Sequence, residues 1–476
     1  MICTILKALT VAQKYTGIWQ LRFRGGGYLH YCTLWQRYPM FSLLQRIKHL
    51  YIKAFSGLPR KVWLLALVLL VNRSGAMVVT FLSVYLIKEQ GYAPIKGGYV
   101  MAAFGAGGVL GNYFGGLLND RYGSWHIQLY SMIGAGILNI MLGYATEFWA
   151  LCALAFCISL VADAFRPANR AAIAIYAPKA VLTQAYGLQR MAVNLGFSIG
   201  PALGGYLIYA FGYKLMFWGD GLTFLLAAGV FYLALPADET ARPLVARVKK
   251  NKLEEETLDG QILAPASAAK TTPAHHQRWL LAFVVANTAI MICFFQLFAN
   301  FPVHLSEFDI DERAIGWLFT ISGVVIVALE MPLIYIAERR YKPIPVMLVG
   351  AALIAGSFLL LPASLEIGYV AVLGMVIILT IGEIFYMPFT NTYVSTYAPL
   401  ARRGEYLGLL SASYSAAFVL CPLITFYIAE YYGYTEATIA CVGIAAIGWL
   451  ILTRINAVRE RSTNATPSEH PLPSSV

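Results

Sequence analysis

Charged side chains are scarce in this sequence. Asp, Glu, Lys and Arg make up 12% of its 476 residues, while 59% of the residues are hydrophobic. A soluble chain of this length would have roughly a quarter of its residues charged. Apolar runs of about 20 residues, the length that crosses a hydrocarbon core, recur along almost the whole chain. The scarcity of charge excludes an ordinary soluble protein and predicts an all-α polytopic membrane protein.

Clusters of metal-ligating or catalytic residues are also missing from the sequence. The seven cysteines are scattered, and no CxxC pair or other metal-ligand spacing occurs. No nucleophile motif and no Gly-rich phosphate loop is present. We therefore expect no metal site, no cofactor and no enzymatic activity, and we interpret the cysteines as free thiols in a membrane core.

Acidic residues are the scarcer charged class, with 24 Asp and Glu against 35 Lys and Arg. An excess of this kind can indicate a nucleic-acid partner. Here, however, 29 of the basic residues lie on one side of the predicted spans and 4 on the other. Cytoplasmic loops of membrane proteins carry such an excess. We therefore expect both termini to be cytoplasmic and no nucleic-acid partner.

Twelve apolar windows bounded by charges or turn residues are predicted to span the membrane. The first six form an N-terminal half over 60–235, and the last six form a C-terminal half over 279–455. The predicted spans are 62–87, 97–118, 125–145, 148–168, 184–211, 214–235, 279–304, 315–337, 343–362, 367–389, 405–430 and 435–453.

Three polar segments lie outside the predicted spans. Residues 1–59 form a basic and aromatic tail, which we expect either to lie on the anionic inner leaflet or to include a gene-model extension before a start at Met40. Residues 236–278 read as a cytoplasmic linker between the halves, and 456–476 as a cytoplasmic tail.

The two halves contain matching landmarks. Asp163 is followed 220 residues later by Glu383. Pro167 and Pro388 are 221 residues apart, as are Gly200-Pro201 and Cys421-Pro422. An offset of about 220 residues across six spans predicts a parallel repeat, related by an axis along the membrane normal.

The loop after the second span carries a family signature. Its sequence GLLNDRYG places Gly116, Asp120, Arg121 and Gly123 in a pattern that resembles the G-x-x-x-D-R-x-G motif of the major facilitator superfamily. The resemblance covers essentially 60–455. It implies a transporter with twelve transmembrane helices in two six-helix bundles, working by alternating access.

A second motif lies in the fifth span, where the sequence reads GFSIGPALGG. It is similar to the G-x-x-x-G-P-x-x-G-G motif of the antiporter branches of that family, notably the drug:proton exporters. Small residues and a proline predict a kink and a close approach to a helix of the other half, and simple packing is the alternative. The residues concerned are Gly196, Gly200, Pro201, Gly204 and Gly205.

The Asp120-Arg121 loop has a repeat counterpart in Glu338-Arg339, 218 residues later. We expect these loops to act as gates, with Arg121 reaching helix carbonyls or a carboxylate of a neighbouring helix. The alternative is a solvated turn whose charge only follows the positive-inside rule.

Ionisable residues inside spans are costly and are candidates for function. Arg73 is predicted near the bilayer middle, where a fixed cation needs a carboxylate, an anionic substrate group or water. Asp163 and Arg190 lie at similar depth in adjacent spans, so an Asp163–Arg190 ion pair is predicted.

Two carboxylates have no predicted cationic partner. Glu383 is aligned with Asp163, but the position aligned with Arg190 is Ser411, and Glu330 has the neutral counterpart Asn112. A carboxylic acid in such a setting can gain and release a proton, so one of the two, Glu383 ahead of Glu330, is predicted to couple protons to transport. Hydrogen bonding to backbone or to an arginine is the alternative.

The Gly-Pro motif and the two unpaired carboxylates decide which function is favoured. A proton-coupled exporter of small amphipathic molecules in a bacterial inner membrane is favoured, acting as a monomer. The alternative is a proton symporter for a small, possibly anionic nutrient, and a membrane receptor or enzyme has less support. Substrate contacts are predicted at Asn72, Asn287, Gln296 and Asn300.

Overall fold

A computed structural model describes residues 57–178, 181–237, 240, 277–399 and 402–465. The predicted N-terminal tail, most of the linker and the end of the C-terminal tail lie outside these residues. The described chain is α-helical and contains no strand. The helices of the first half are α1 Arg60–Arg73, α2 Val78–Val84, α3 Pro94–Tyr122, α4 Ser124–Leu142, α5 Phe148–Tyr176, α6 Leu182–Phe211 and α7 Tyr213–Ala234. Those of the second half are α8 Arg278–Phe295, α9 Asn300–Glu307, α10 Glu312–Arg340, α11 Pro343–Ile367, α12 Tyr369–Tyr397, α13 Arg403–Tyr432 and α14 Tyr434–Ala465.

The first span of each half is a broken helix. α1 and α2 are separated by a turn at Ser74–Met77, and α2 continues as a π-helix over Tyr85–Glu89. α8 and α9 are joined by a 3-10 turn at Gln296–Phe298. Counting each broken helix once gives twelve segments in the described chain, which matches the predicted architecture.

Eleven of these segments are long and apolar enough to cross a membrane. The remaining one, α4, has 19 residues and carries several polar side chains. Two of them, Gln128 and Asn139, are buried between helices and donate hydrogen bonds to Ser124 and Ala135 carbonyls. Membrane crossing by α4 therefore depends on burial of its polar side chains against neighbouring helices.

Single glycines reverse the chain between successive helices. Gly123, Gly212, Gly368 and Gly433 each stand alone between two helices, with φ of 84°, 81°, 117° and 110°. A side chain is strained in this left-handed region, and glycine is not. Gly212 and Gly433 are repeat equivalents, so the same kind of turn precedes the last helix of each half.

Some helices extend beyond their predicted spans. α5 runs to Tyr176 and α12 to Tyr397, whereas the predicted spans ended at 168 and 389. The hydropathy windows stopped at charges and at Pro167, but α5 continues through that proline. Neighbouring helices can satisfy the backbone groups that a proline leaves unpaired.

The two halves contact each other mainly along two helix pairs, α6 with α10 and α3 with α13, and to a smaller extent along α2 and α9. These pairs are repeat equivalents. We call the side where α1 begins and α3 and α10 end the basic face, and the side where α3 and α10 begin the opposite face.

A glycine seam joins α3 to α5. A Cβ atom at Gly107 or Gly111 would collide with the backbone of Phe156 or Leu160, and one at Gly115 with Ala164. Such an approach lets helices gain dispersion contacts where lipid offers no hydrophobic driving force.

Gly111→Ala is therefore expected to destabilise the protein by about 1–3 kcal/mol, because the added methyl meets fixed backbone atoms. Thermal unfolding of the purified protein in detergent measures the loss. Gly116→Ala on the same helix is the matched control, since nothing lies within 4 Å of its Cβ position. Equal melting temperatures for the two variants would contradict the seam.

Candidate functional site

The break in the first span is held by a carboxylate from α7. Asp220 is 3% exposed, and its Oδ2 accepts a hydrogen bond of 3.1 Å from the Val78 N–H. That N–H lies at the start of α2, where helix amide groups have no partner within the helix. Gly75 lies against Asp220 and Thr223, so the turn fits closely onto α7.

Removing this carboxylate is expected to destabilise the fold. Asp220→Ala leaves the Val78 amide at the start of α2 without its acceptor and should cost about 1–2 kcal/mol, the usual magnitude for a lost helix cap. Asp220→Asn is the matched control, because its amide oxygen can still accept from Val78. Thermal unfolding that is equal for wild type and Asp220→Ala would show that Asp220 does not hold the break.

Arg73, at the end of α1, leads into the same break. Its guanidinium lies over the Phe197 ring of α6 at 5.8 Å from the centroid. Its electrostatic neighbours are Arg166, Asp163 and Asp220, but none of the described residues forms an ion pair or hydrogen bond with its side chain. A guanidinium held in the middle of a span without a direct acceptor is unusual.

Asp163 on α5 pairs with a residue on its own helix. Its Oδ1 lies 2.8 Å from Nε of Arg166, one turn further along α5. The predicted Asp163–Arg190 pair is therefore wrong. The spacing of three residues on one helix places Asp163 and Arg166 side by side, and this spacing was the signal that the sequence analysis missed.

Arg190 on α6 forms an ion pair with Glu330 on α10, across the two halves. Asn194, one turn after Arg190, donates a second hydrogen bond of 3.3 Å to Glu330. The side chain of Glu330 is 9% exposed and that of Arg190 43%. Glu330 therefore has an arginine partner, which is the alternative to the predicted unpaired carboxylate. The partner is distant in sequence and is brought close by the packing of α6 on α10.

Glu383 lies near this pair in the middle of α12. It is half-buried, and its electrostatic neighbours are Glu330 and Arg190. Within the described part of the chain, no side chain or backbone group forms a hydrogen bond or ion pair with it. The Tyr414 side chain of α13 is also within electrostatic range, and its hydroxyl is hydrogen-bonded to Thr390 at 2.9 Å. One arginine thus lies close to two carboxylates, only one of which it pairs with.

The signature loop lies at the basic face. Arg121 stacks over the adjacent Tyr122 ring at 5.3 Å, and Arg339 over the Tyr335 ring at 4.2 Å. Both contacts are local to one helix. Among the described residues, Arg121 forms no hydrogen bond or ion pair with a neighbouring helix, and the gating role stays a prediction.

The Gly-Pro motif of α6 packs mainly on the broken first span. Gly196 lies against Arg73, Gly200 against the turn at Ser74–Ala76, and Gly204 against Met77. The contacts with the other half are made by the remaining motif residues: Gly205 meets the backbone of Glu312 and Arg313, and the Pro201 carbonyl meets Gly316.

The four predicted substrate contacts have different surroundings. Asn287 donates to Ser413 Oγ at 2.7 Å and accepts from the Tyr386 hydroxyl at 3.1 Å. Asn300 donates to Thr438 Oγ1 at 2.8 Å. Gln296 donates to the Cys293 carbonyl at 3.3 Å, and Asn72 is buried without a described partner. The hydrogen-bonding capacity of Asn287 is largely used inside the C-terminal half.

The described hydrogen bonds and ion pairs between the halves lie between the opposite face and the Arg190–Glu330 level. Nearest the opposite face, Lys88 pairs with Glu307 at 3.2 Å, and the Tyr213 hydroxyl donates to Glu312 at 2.7 Å. The halves are thus joined toward the opposite face, and among the described residues no hydrogen bond or ion pair between them lies nearer the basic face than the Arg190–Glu330 pair.

Comparison with known proteins agrees with this architecture. The sequence model of the Major Facilitator Superfamily matches residues 62–399 and 297–475. The chain is 23% identical over 347 residues to the uncharacterized MFS-type transporter YqjV of Bacillus subtilis, covering 71% of this chain and 78% of that protein.

Two further relatives have more specific names. The multidrug resistance protein MdtH of Photorhabdus laumondii is 22% identical over 70% of this chain and 77% of its own length. A Na(+), Li(+), K(+)/H(+) antiporter of Planococcus maritimus is 24% identical over 74% of this chain and 85% of its own length. Among solved structures, the peptide transporter POT in complex with sulfate aligns with a TM-score of 0.69 at 15% identity, covering 86% of this chain and 96% of that one. At this identity the structure establishes a shared fold alone.

Proposed function

Since this chain belongs to the Major Facilitator Superfamily and is a membrane transporter of that type, we propose that it is a proton-coupled exporter of small amphipathic molecules. The two halves would rock about the charged residues between them, so that these residues open alternately to each face. The relatives named for multidrug resistance and for cation/proton exchange support this proposal over others. The excess of basic residues supports placing the basic face and both termini in the cytoplasm, in a bacterial inner membrane.

The observation that carries the proposal is the unpaired carboxylate beside the Arg190–Glu330 ion pair. When Glu383 is protonated, Arg190 has a single carboxylate to bind, and Glu330 holds it across the halves. When Glu383 is ionised, its negative charge repels Glu330 and competes for Arg190. Gain or loss of one proton at Glu383 therefore changes the strength of a contact between the halves, which is what coupling requires.

Export by exchange follows from competition at the same carboxylate. A positively charged group of a substrate and a proton would each neutralise Glu383, and only one of them can do so at a time. Glu383 would then release its proton when substrate binds from the cytoplasm, and release the substrate when a proton binds from outside.

A symporter for an anionic solute is the second candidate, supported by Arg73. A guanidinium in mid-span with no described acceptor would attract an anionic group. On this reading the proton and the solute would move in the same direction.

Transport by purified protein in proteoliposomes under an imposed pH gradient separates the candidates. A panel of dyes and metabolites is presented while proton flux is followed with a trapped pH indicator. Opposite movement of protons and substrate supports exchange, and parallel movement supports symport. Transport without proton movement for every substrate would contradict proton coupling and the role of Glu383.

A further inference from the structure

We propose that His304 makes the joint between the halves at the opposite face sensitive to protons. The imidazole is neutral while the halves are joined there, and a proton on it weakens the joint. Acid at the opposite face would therefore favour opening on that side. This inference goes beyond the proposed function, because it concerns which side of the protein opens and not the carboxylate that couples protons to substrate.

His304 lies on α9 and packs against the start of α14. The residue is 2% exposed, and its ring stacks on the Tyr434 ring at 6.0 Å between centroids and 28° between planes. The following Phe308 covers another side of the ring at 5.8 Å. One turn before His304 on the same helix, Asn300 donates to Thr438 Oγ1 at 2.8 Å. His304 and Asn300 thus fix one face of α9 on α14.

A proton on this imidazole would leave a buried N–H without an acceptor. Nε2 lies 3.3 Å from Oγ1 of Thr435, and Nδ1 is buried with no hydrogen-bond partner among the described residues. An imidazolium carries hydrogens on both nitrogens, whichever of them is protonated in the neutral ring. Its Nδ1–H would lack an acceptor, and its charge would be shielded from water. A proton therefore favours any conformation in which the ring reaches water or a carboxylate.

The end of α9 carries a contact between the halves. The Ser306 carbonyl accepts from Lys88 Nζ at 3.1 Å, and the Glu307 carboxylate pairs with the same ammonium at 3.2 Å. Lys88 belongs to the π-helical end of the first span, in the N-terminal half. Movement of α9 away from α14 would displace both acceptors. Because the side chains of the pair are 40% and 46% exposed, the contact is weak enough to be broken by a modest change.

Glu307 is also the nearest carboxylate along the chain for a charged His304. It follows His304 by three residues, the spacing at which side chains of one helix meet, and it lies within electrostatic range of the ring. In the joined conformation this carboxylate is held by Lys88. An imidazolium would compete with Lys88 for it. Proton uptake thus weakens the joint whether α9 leaves α14 or Glu307 leaves Lys88.

The remaining charged groups around α9 do not hold a charged ring in place. Glu436 of α14 is within electrostatic range of His304, but it is exposed and water screens its attraction. The other charged residues at the ends of the elements packed on α9 are Lys88 and Glu89 of the first span, Asp311, Glu312 and Arg313 of α10, and Glu430 of α13. The carboxylates of Asp311, Glu312 and Glu430 already accept hydrogen bonds of 2.7, 2.7 and 3.2 Å. The burial of the ring therefore decides its charge in the joined conformation.

The consequence is a threshold set by the pH at the opposite face. Imidazoles titrate between about pH 5 and 8, so the joint would be firm in an alkaline medium and loosened in acid. A carrier driven by protons from that side would then open to it chiefly when those protons are available.

The test measures the distance between the halves at the opposite face. Spin labels are placed on Lys214→Cys at the start of α7 and on Glu366→Cys near the end of α11, which are exposed positions on different halves. The full-length chain is reconstituted in lipid nanodiscs, and distance distributions are recorded at about pH 8 and about pH 5. Acidification is expected to raise the population with the longer distance by about fivefold or more.

Two variants remove the titrating ring. His304→Gln and His304→Phe cannot take up a proton, and the second keeps an aromatic ring against Tyr434. Both should keep the shorter distance at both pH values, and melting temperatures identify the variants that fold. His126→Gln is the matched control, since His126 lies at the basic face and its Nδ1 is 3.0 Å from the Tyr122 carbonyl. It should respond to pH as the wild type does.

The inference is overturned if the wild type shows no response to pH, or if a folded His304 variant keeps the full response. Glu383→Gln in the same labelled chain separates it from the proposed function, and this variant should keep the response. A response that is lost in Glu383→Gln and kept in the His304 variants would remove this inference and leave proton coupling at Glu383 standing. A response that depends on His304, in a protein that moves no protons with its substrates, would do the reverse.

Discussion

Glu383→Gln is expected to abolish proton-driven transport and to weaken binding of substrates that carry a positive charge, while counterflow of uncharged substrates stays in place. Glutamine resembles the protonated acid in shape and charge, but it cannot release a proton. The variant should therefore stay in the state in which Glu330 alone holds Arg190. Proton flux per substrate should fall by about tenfold or more, since the coupling site itself is removed.

The measurement is proton flux and substrate counterflow in the same proteoliposomes. Glu366→Gln, an exposed glutamate at the end of α11, is the matched control and should transport as wild type. Wild-type proton flux in Glu383→Gln would contradict the assignment and would direct attention to Glu330.

Breaking the Arg190–Glu330 pair is expected to shift the balance between conformations. Arg190→Gln leaves a carboxylate that is 9% exposed without its cation. Breaking a fully buried ion pair costs about 3–5 kcal/mol, and breaking an exposed one costs about 0–1 kcal/mol. Because Arg190 is 43% exposed, a loss of about 1–3 kcal/mol is expected. A loss of that size changes a two-state population by roughly 5- to 150-fold.

Distances between spin labels at the basic ends of α3 and α10 report this population. Arg190→Gln and Glu330→Gln should each broaden or shift the distance distribution. The charge-reversed pair, Arg190→Glu with Glu330→Arg, is the control and should restore much of the wild-type distribution. Unchanged distributions in both single variants would show that the pair does not hold the conformation.

The architecture was largely predictable from the sequence. Apolar runs predict spans because a helix needs about 20 such residues to cross the hydrocarbon core. The 221-residue offset of Pro167 and Pro388 predicts the repeat, and the structure has the same helix order in both halves. α4 is the exception to the hydropathy rule, because its polar side chains are buried against other helices.

The charged site was predicted less well. Its members Arg73, Asp163, Arg190, Glu330 and Glu383 were selected because ionisable residues inside spans are rare, and this reasoning depends on sequence alone. Their partners were not predicted. Arg190 lies 140 residues from Glu330, and no local spacing indicates which of several carboxylates a cation will meet.

The sequence by itself determined the number of spans, the repeat and the set of charges placed inside the membrane, since these follow from composition along the chain and from hydrophobic thickness. The tertiary structure alone decided that Arg190 crosses to Glu330 and that Arg73 and Glu383 keep no described ion-pair partner, whereas the spacing that pairs Asp163 with Arg166 is present in the sequence. The physical reason is that ion pairs depend on distances of a few ångströms between helices. Those distances are set by which helix faces pack together, and here the packing of α6 on α10 brings one arginine to two glutamates.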